Sequence, residues 1–202
     1  MTLIKLKLNL RNKDIAYRFG ISEPIVSRYL TTWICFLYQQ LKEINWMPDV
    51  DQVVTTLLTS FHDKCQTTYA IIDATEIFLE TPSDLHLQSS TWSSYKSHNT
   101  GKILIGCTPN GAISFISPMY VGSISDVELT RVSGFLDKLE GKHGISVMAD
   151  RGFTIKDMLS DIGVELNIPP FLKGRPQLPQ DDIGKHATLH HFAYMSSVPL
   201  VE

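Results

Sequence analysis

The sequence predicts an α/β domain built on a mixed sheet and preceded by a small all-α segment, and three observations carry that prediction. Residues 12–41 place apolar side chains at three- and four-residue spacing, interrupted once at Gly20. From residue 69 the runs become rich in β-branched and aromatic residues, and two of them flank Thr108-Pro109-Asn110-Gly111, a strong hairpin signal. Beyond residue 124, helical and strand-like stretches alternate.

In the first segment Ile15, Ala16 and Phe19 fall on one face of a short helix that Gly20 ends. Ser22 is a natural N-cap for the next helix, Glu23 and Pro24 suit its first turn, and Ile25, Val26, Tyr29, Leu30 and Trp33 form its apolar face. Helix, glycine-containing turn and helix match a DNA-binding helix-turn-helix, with Glu23, Ser27, Arg28 and Thr31 near the outer face; an ordinary helical hairpin fits the same spacing. Trp46, Met47 and Pro48 close this unit, giving a segment 1–48 and a connecting helix over 49–68.

The second segment opens with the strand "YAIIDATEIFLE", followed by the hairpin "GKILIGCTPNGAISFISPMYVG". "SDVELTRVSGFLDKLE" reads as one helix capped by Ser125 or Asp126, and "ISVMAD" as a short buried strand. "IKDMLSDIG" is a helix closed by Gly163, and "VELNIPP" returns to strand.

The totals narrow the function. Of 202 residues, 43% are hydrophobic and 19% charged, and no apolar run is long enough for a membrane span or a secretory leader, so neither a membrane partner nor secretion is expected. Cys35, Cys65 and Cys107 lack metal-ligand spacing and read as reduced intracellular thiols, and no HExxH pair suggests zinc. The net charge of −3 hides an asymmetry: residues 1–50 carry seven Lys/Arg against four Asp/Glu, so the front is the better candidate for touching a polyanion.

Three aspartates stand where a strand meets a loop or helix. Asp73 follows Ile71-Ile72, Asp150 follows Val147-Met148-Ala149, and Asp126 begins the helix between them. If the first and fourth strands are neighbours, Asp73 and Asp150 converge, and two carboxylates brought together call for a divalent cation such as Mg²⁺ or Mn²⁺. A two-metal site of that kind performs phosphodiester displacement. Gly152 would let the backbone turn sharply behind Asp150. Each acid has a plainer role open to it: Asp126 as a helix cap, Asp150 as a turn former or partner of Arg151, Asp73 bonded to Thr75 or to backbone amides.

The stretch "LNLRNKDIAYRFGISEPIVSRYLTTWI" resembles the helix-turn-helix of PIF/Harbinger-like DDE transposases, and "IIDATEIFLETPSDL", "YKSHNTGKILIGCTPNGAISFISPMYVGSISDVELTRVSGFLD", "VMADRGFTI" and "ELNIPPFLKGRPQL" resemble their endonuclease domain. The resemblance covers nearly all of Leu8 to Leu178. It implies an RNase H-like mixed sheet flanked by helices over 69–180, and metal-dependent cleavage and strand transfer on DNA with Mg²⁺ or Mn²⁺. Asp73 and Asp150 match its catalytic acids, Asp126 matches a further cation-binding acid, and Lys96 and Lys102 in "YKSHNTGK" become candidates for DNA phosphates. DNA is the implied partner, together with further copies of the chain or an accessory DNA-binding protein, and nuclear residence follows in a eukaryotic host.

One departure stands against these matches. Beyond the segment matching "PPFLKGRPQL" the family continues into an "R-x-H-V-E-R" helix whose glutamate completes the acidic set, whereas this chain reads "PQDDIGKHATLHHFAYMSSVPLVE". The place for that glutamate falls near Ser197. A diverged tail over 181–202, produced by frameshift, truncation or altered splicing, and an inactive enzyme are the expectations, with a silent DNA-binding protein or a fragment of a mobile element as alternatives.

Overall fold

The computed structural model describes residues 1–168 apart from 43, 45, 63 and 64, and the backbone only of Ser60 and His62. The expected tail over 181–202, Pro169 and Pro170 of the last strand reading, and His186, His190 and His191 lie outside the described residues. Two compact units are present, with the division at Asn45/Trp46.

The first unit holds α1 (Thr2–Leu8), α2 (Asn12–Phe19) and α3 (Glu23–Leu41). Gly20 ends α2 in the left-handed region at φ 63°, and Ser22 takes the N-cap position of α3 with Pro24 in the first turn, although the Ser22 side chain makes no capping bond. The core is Ile15, Ala16, Val26 and Leu30, with Met1, Leu10 and Ile21 packed against it. The predicted apolar face is only half right. Val26 and Leu30 are buried, whereas Phe19, Ile25, Tyr29 and Trp33 are exposed, because α2 is short and covers only the first turns of the much longer α3.

The second unit begins with α4 (Val50–Thr55) and α5 (Thr59–His62) where one connecting helix was expected. Asp49 and Gln52 form a capping box at the start of α4. At its end the Thr55 and Thr56 hydroxyls donate to the carbonyls of Asp51 and Gln52, side-chain bonds that compete with continued helix. Next come β1 (Thr68–Phe78), α6 (Leu85–Thr91), β2 (Trp92–Ser93), β3 (His98–Cys107), β4 (Ile113–Ile116) and β5 (Tyr120–Val121). The chain continues with α7 (Asp126–Val132), α8 (Phe135–Leu139), β6 (Ser146–Ala149), α9 (Lys156–Asp161) and β7 (Glu165–Asn167). The single helix expected over 125–140 is two, because Gly134 adopts φ 78° and the Ser133 hydroxyl accepts the Phe135 amide there.

Among the described residues these strands form one seven-stranded sheet. β3 lies antiparallel to β1, β6 and β7 continue parallel on the other side of β1, and β4 and β5 pair with β3. The order β4-β3-β1-β6-β7, with only the β3 direction reversed among β1, β3, β6 and β7, is that of an RNase H-like sheet. One face carries Ile72, Leu104, Val147 and Ala149 and packs under Leu129 of α7, Phe135 and Leu139 of α8 and Leu159 of α9. Against the other face, Ile71 and Met148 cluster with Leu57, Phe61 and Cys65.

Candidate active site and nucleic-acid interface

Parallel pairing of β1 and β6 sets the position of two of the three aspartates. Ile72 pairs with Ala149, the last residue of β6, so Asp73 continues β1 beside the point where Asp150 leaves β6, on strands about 4.8 Å apart. Strand alternation puts Asp73 on the Ile71 face, opposite to Ile72. The Asp73 Oδ1 accepts the Ala74 amide at 2.9 Å, one of the plainer roles open to it from the sequence. Cys107, the register partner of Ile71, shares that face; burial and the Asp73 charge push its thiol up from 9.0 to about 11.

Asp150 is exposed and starts a turn in which its carbonyl accepts the Phe153 amide at 3.0 Å. Its carboxylate makes no ion pair with Arg151 and accepts no hydrogen bond from the described residues. Gly152 does not need a positive φ, so the reason for a glycine is different from the one the sequence suggests. A Cβ there would lie 3.1 Å from Asp126 Oδ2: the missing side chain makes room for a carboxylate.

Asp126 is the first residue of α7, and the cap is Ser125, whose hydroxyl accepts the Glu128 amide at 3.1 Å. The other Asp126 oxygen, Oδ1, faces Lys102 Nζ at 3.3 Å. Lys102 also donates to the Ile124 carbonyl at 2.9 Å and lies 3.8 Å from Glu76 Oε1, whose second oxygen accepts the Thr100 hydroxyl at 2.8 Å. Glu76 and Lys102 are cross-strand partners on the Ile72 face, the one opposite Asp73. Asp73 therefore does not end its strand as the sequence suggested: it sits midway along β1, level with the end of β6 that Asp150 follows, and Asp126 lies beside Gly152 in the turn after Asp150. Among the described residues, no three His, Cys, Asp or Glu side chains are arranged to hold an ion.

The stretch "YKSHNTGK" is mostly architecture. Asn99, 1% exposed, donates to the Gln88 carbonyl and the Thr91 hydroxyl, tying β3 to α6, and Thr100 is fully buried against Glu76. Lys96 stands in an exposed loop with Nζ 4.9 Å over the Tyr95 ring, whereas the Lys102 side chain is only 12% exposed and points inward. In the helical unit Ser27, Arg28 and Thr31 are exposed on α3; the Thr31 hydroxyl donates to the Ser27 carbonyl at 3.0 Å, and Arg28 makes no ion pair among the described residues. Sequence reasoning missed Glu76, although the alternation of Ile72, Ala74 and Glu76 along β1 was there to place a carboxylate on the core face.

A helix-turn-helix unit followed by an RNase H-like sheet, with one acid in its central strand and another just past the neighbouring strand, defines a class of DNA-processing proteins, the transposase-type nucleases. Residues 72–192 match the family model described as DDE superfamily endonuclease, and residues 1–43 match that of the helix-turn-helix of DDE superfamily endonuclease. The chain belongs to the DDE superfamily endonucleases. No curated protein and no solved structure matches it. Among the described residues no helix is long and apolar enough to cross a membrane.

Proposed function

We propose that the chain is a divalent-metal-dependent DNA endonuclease and strand transferase of the PIF/Harbinger-like transposase kind, brought to DNA by α3. The observation that carries the reading is the placement of Asp73, midway along β1, beside the end of β6 where Asp150 follows. Two carboxylates there repel unless a cation lies between them, and Mg²⁺ binds through one or two carboxylates plus substrate phosphates, so this donor set fits a hard ion. Bound there, the ion would supply Lewis-acid stabilisation of a phosphodiester displacement. The chain's part is positional: the Ala74 amide orients the Asp73 carboxylate, and the turn closed by Phe153 holds Asp150. Asp126, the third acid that the resemblance names as a cation ligand, faces Lys102 through Oδ1 and the turn after Asp150 through Oδ2. Ser27, Arg28 and Thr31 contact DNA from α3, with Lys96 adding a phosphate contact from its loop; a second copy of the chain or an accessory DNA-binding protein completes the assembly on DNA.

Purified protein is expected to nick supercoiled plasmid with Mn²⁺ and not with EDTA, and Asp73→Asn and Asp150→Asn to abolish nicking; activity unchanged in both variants removes the proposed site. A second reading, a DNA-binding protein without cleavage, rests on the expectation that the place near Ser197 does not supply the family's glutamate. Salt-dependent retardation of duplex DNA that is lost in Arg28→Ala, with no nicking in any metal, would decide for it.

A further inference from the structure

We infer that Lys7, Arg11 and Lys13, at the corner where α1 passes into α2, form a phosphate-contacting patch that supplies most of the helical unit's electrostatic attraction for duplex DNA, with α3 supplying little of it. The inference rests on the reading of that unit as DNA-binding and on nothing in the cleavage chemistry. Residues 1–22 carry Lys5, Lys7, Arg11, Lys13 and Arg18 against Asp14 alone, whereas α3 carries only Arg28 and Glu23, which cancel. Two of the five cations are used within the fold: Lys5 Nζ donates to the Leu10 carbonyl at 2.6 Å, and Arg18 Nε pairs with Asp14 at 2.8 Å. Lys7, Arg11 and Lys13 are exposed and make no ion pair among the described residues. They follow one another closely around the left-handed residue Asn9, φ 46°, that ends α1.

Lys7, in the last turn of α1, has a local reason for its charge, because a helix C-terminus favours cations. Arg11 and Lys13 have the opposite. Arg11 takes the N-cap position of α2 and makes no capping bond, where Ser, Thr, Asp or Asn would, and Lys13 stands in the first turn, where the helix dipole favours acids. The fold thus bears a cost here that no ion pair among the described residues offsets, and a row of phosphates reverses its sign. Each phosphate neutralised adds about 0.9 to the slope of log affinity against log salt, so the patch accounts for about 2.7 and Arg28 for about 0.9.

The test is fluorescence anisotropy of the full chain with a labelled duplex in EDTA, over a series of salt concentrations. Lys7→Gln, Arg11→Gln and Lys13→Gln are combined in one variant, since Gln keeps the helix propensity of the residues it replaces. That variant is expected to lower the slope by about 2.7, alike on two duplexes of unrelated sequence, because phosphates carry no sequence information. Lys138→Gln with Lys156→Gln, two exposed cations of the sheet unit, is expected to lower it by less than about 0.5. The thermal midpoint of the triple variant is expected to be unchanged or higher, since the substitutions relieve repulsion and remove cations from the start of α2. An unchanged slope in the triple variant overturns the patch and leaves DNA binding to α3. An equal loss per charge in the sheet-unit control also overturns it, because net charge would then govern binding. A lower midpoint would give the three cations a structural role and overturn it as well. A wild-type chain that binds no duplex overturns this inference together with the DNA-binding reading, while the nuclease reading is decided separately by nicking, which EDTA keeps out of this experiment.

Discussion

Glu76 and Lys102 are direct cross-strand partners of β1 and β3, with Oε1 and Nζ 3.8 Å apart and side chains only 8% and 12% exposed. A pair so shielded is asymmetric in its energetics. Removing the cation leaves carboxylates in a poorly solvated place, so Lys102→Met is expected to lower unfolding free energy by about 3 kcal/mol. Glu76→Gln keeps an acceptor for the Thr100 hydroxyl and leaves Lys102 with Asp126, so its cost should be nearer about 1 kcal/mol. Urea midpoints of the two variants check the order; equal midpoints would show that Lys102 is not the keystone.

Gly152→Ala tests the close approach from the other side. The added Cβ would stand 3.1 Å from Asp126 Oδ2, tighter than ordinary contact, and that oxygen's carboxylate is tethered by Lys102. Overpacking of this kind costs about 1–3 kcal/mol. In an Asp126→Ala background the same substitution should cost almost nothing, and a double-mutant cycle by thermal unfolding reads the difference.

What could be read from the sequence follows from what strands and turns require locally. Thr108 to Gly111 pointed to the β3–β4 hairpin, and a helical crossover between "IIDATE" and "ISVMAD" permitted the parallel β1–β6 pair, the condition set for Asp73 and Asp150 to approach each other. Choices between neighbours were not legible: Ser125 and Asp126 are both good caps, and only the backbone shows that Ser125 takes the position and frees Asp126 for Lys102. The direction of a long side chain was also hidden. Lys102 sits in a stretch that suggests phosphate contact, yet its place opposite Glu76 turns it inward, which depends on a register no single strand encodes. The exposure of Tyr29 and Trp33 depends on where α2 ends, a property of the unit and not of the α3 periodicity.

Cys107 offers a spectator's view of Asp73. Its thiol is pushed up to about 11 by burial and then by the Asp73 charge, so the folded protein binds that proton more tightly than the unfolded chain does. The sign follows: the contribution to stability is full below pH 9.0 and is lost as pH rises toward about 11. Iodoacetamide labelling of the Cys107 peptide should therefore rise only in strongly alkaline buffer. Asp73→Asn should move the Cys107 profile to lower pH; no movement would mean that the Asp73 charge does not act on the thiol.

Arg28 is exposed on α3 and makes no ion pair among the described residues, so Arg28→Ala should leave the fold untouched. Its effect belongs to DNA binding. Loss of one phosphate contact should reduce the slope of log affinity against log salt by about 0.9. Fluorescence anisotropy with a labelled duplex at several salt concentrations measures it, and an unchanged slope would take Arg28 off the DNA interface.

The position of Asp73 in β1 beside the end of β6 makes a prediction that does not need turnover. Two carboxylates at the same sheet level repel in the metal-free protein, so Asp150→Asn, at an exposed position with no cationic partner among the described residues, should leave metal-free stability equal or slightly higher. An ion bound only by the folded chain adds stability by mass action, about 2.7 kcal/mol at a hundredfold excess over its dissociation constant. Thermal unfolding should thus show a midpoint that rises with Mn²⁺ in the wild-type chain and stays flat in Asp150→Asn. A rise of equal size in both would mean that the ion binds elsewhere, because the substitution removes the Asp150 charge while keeping the side chain's size.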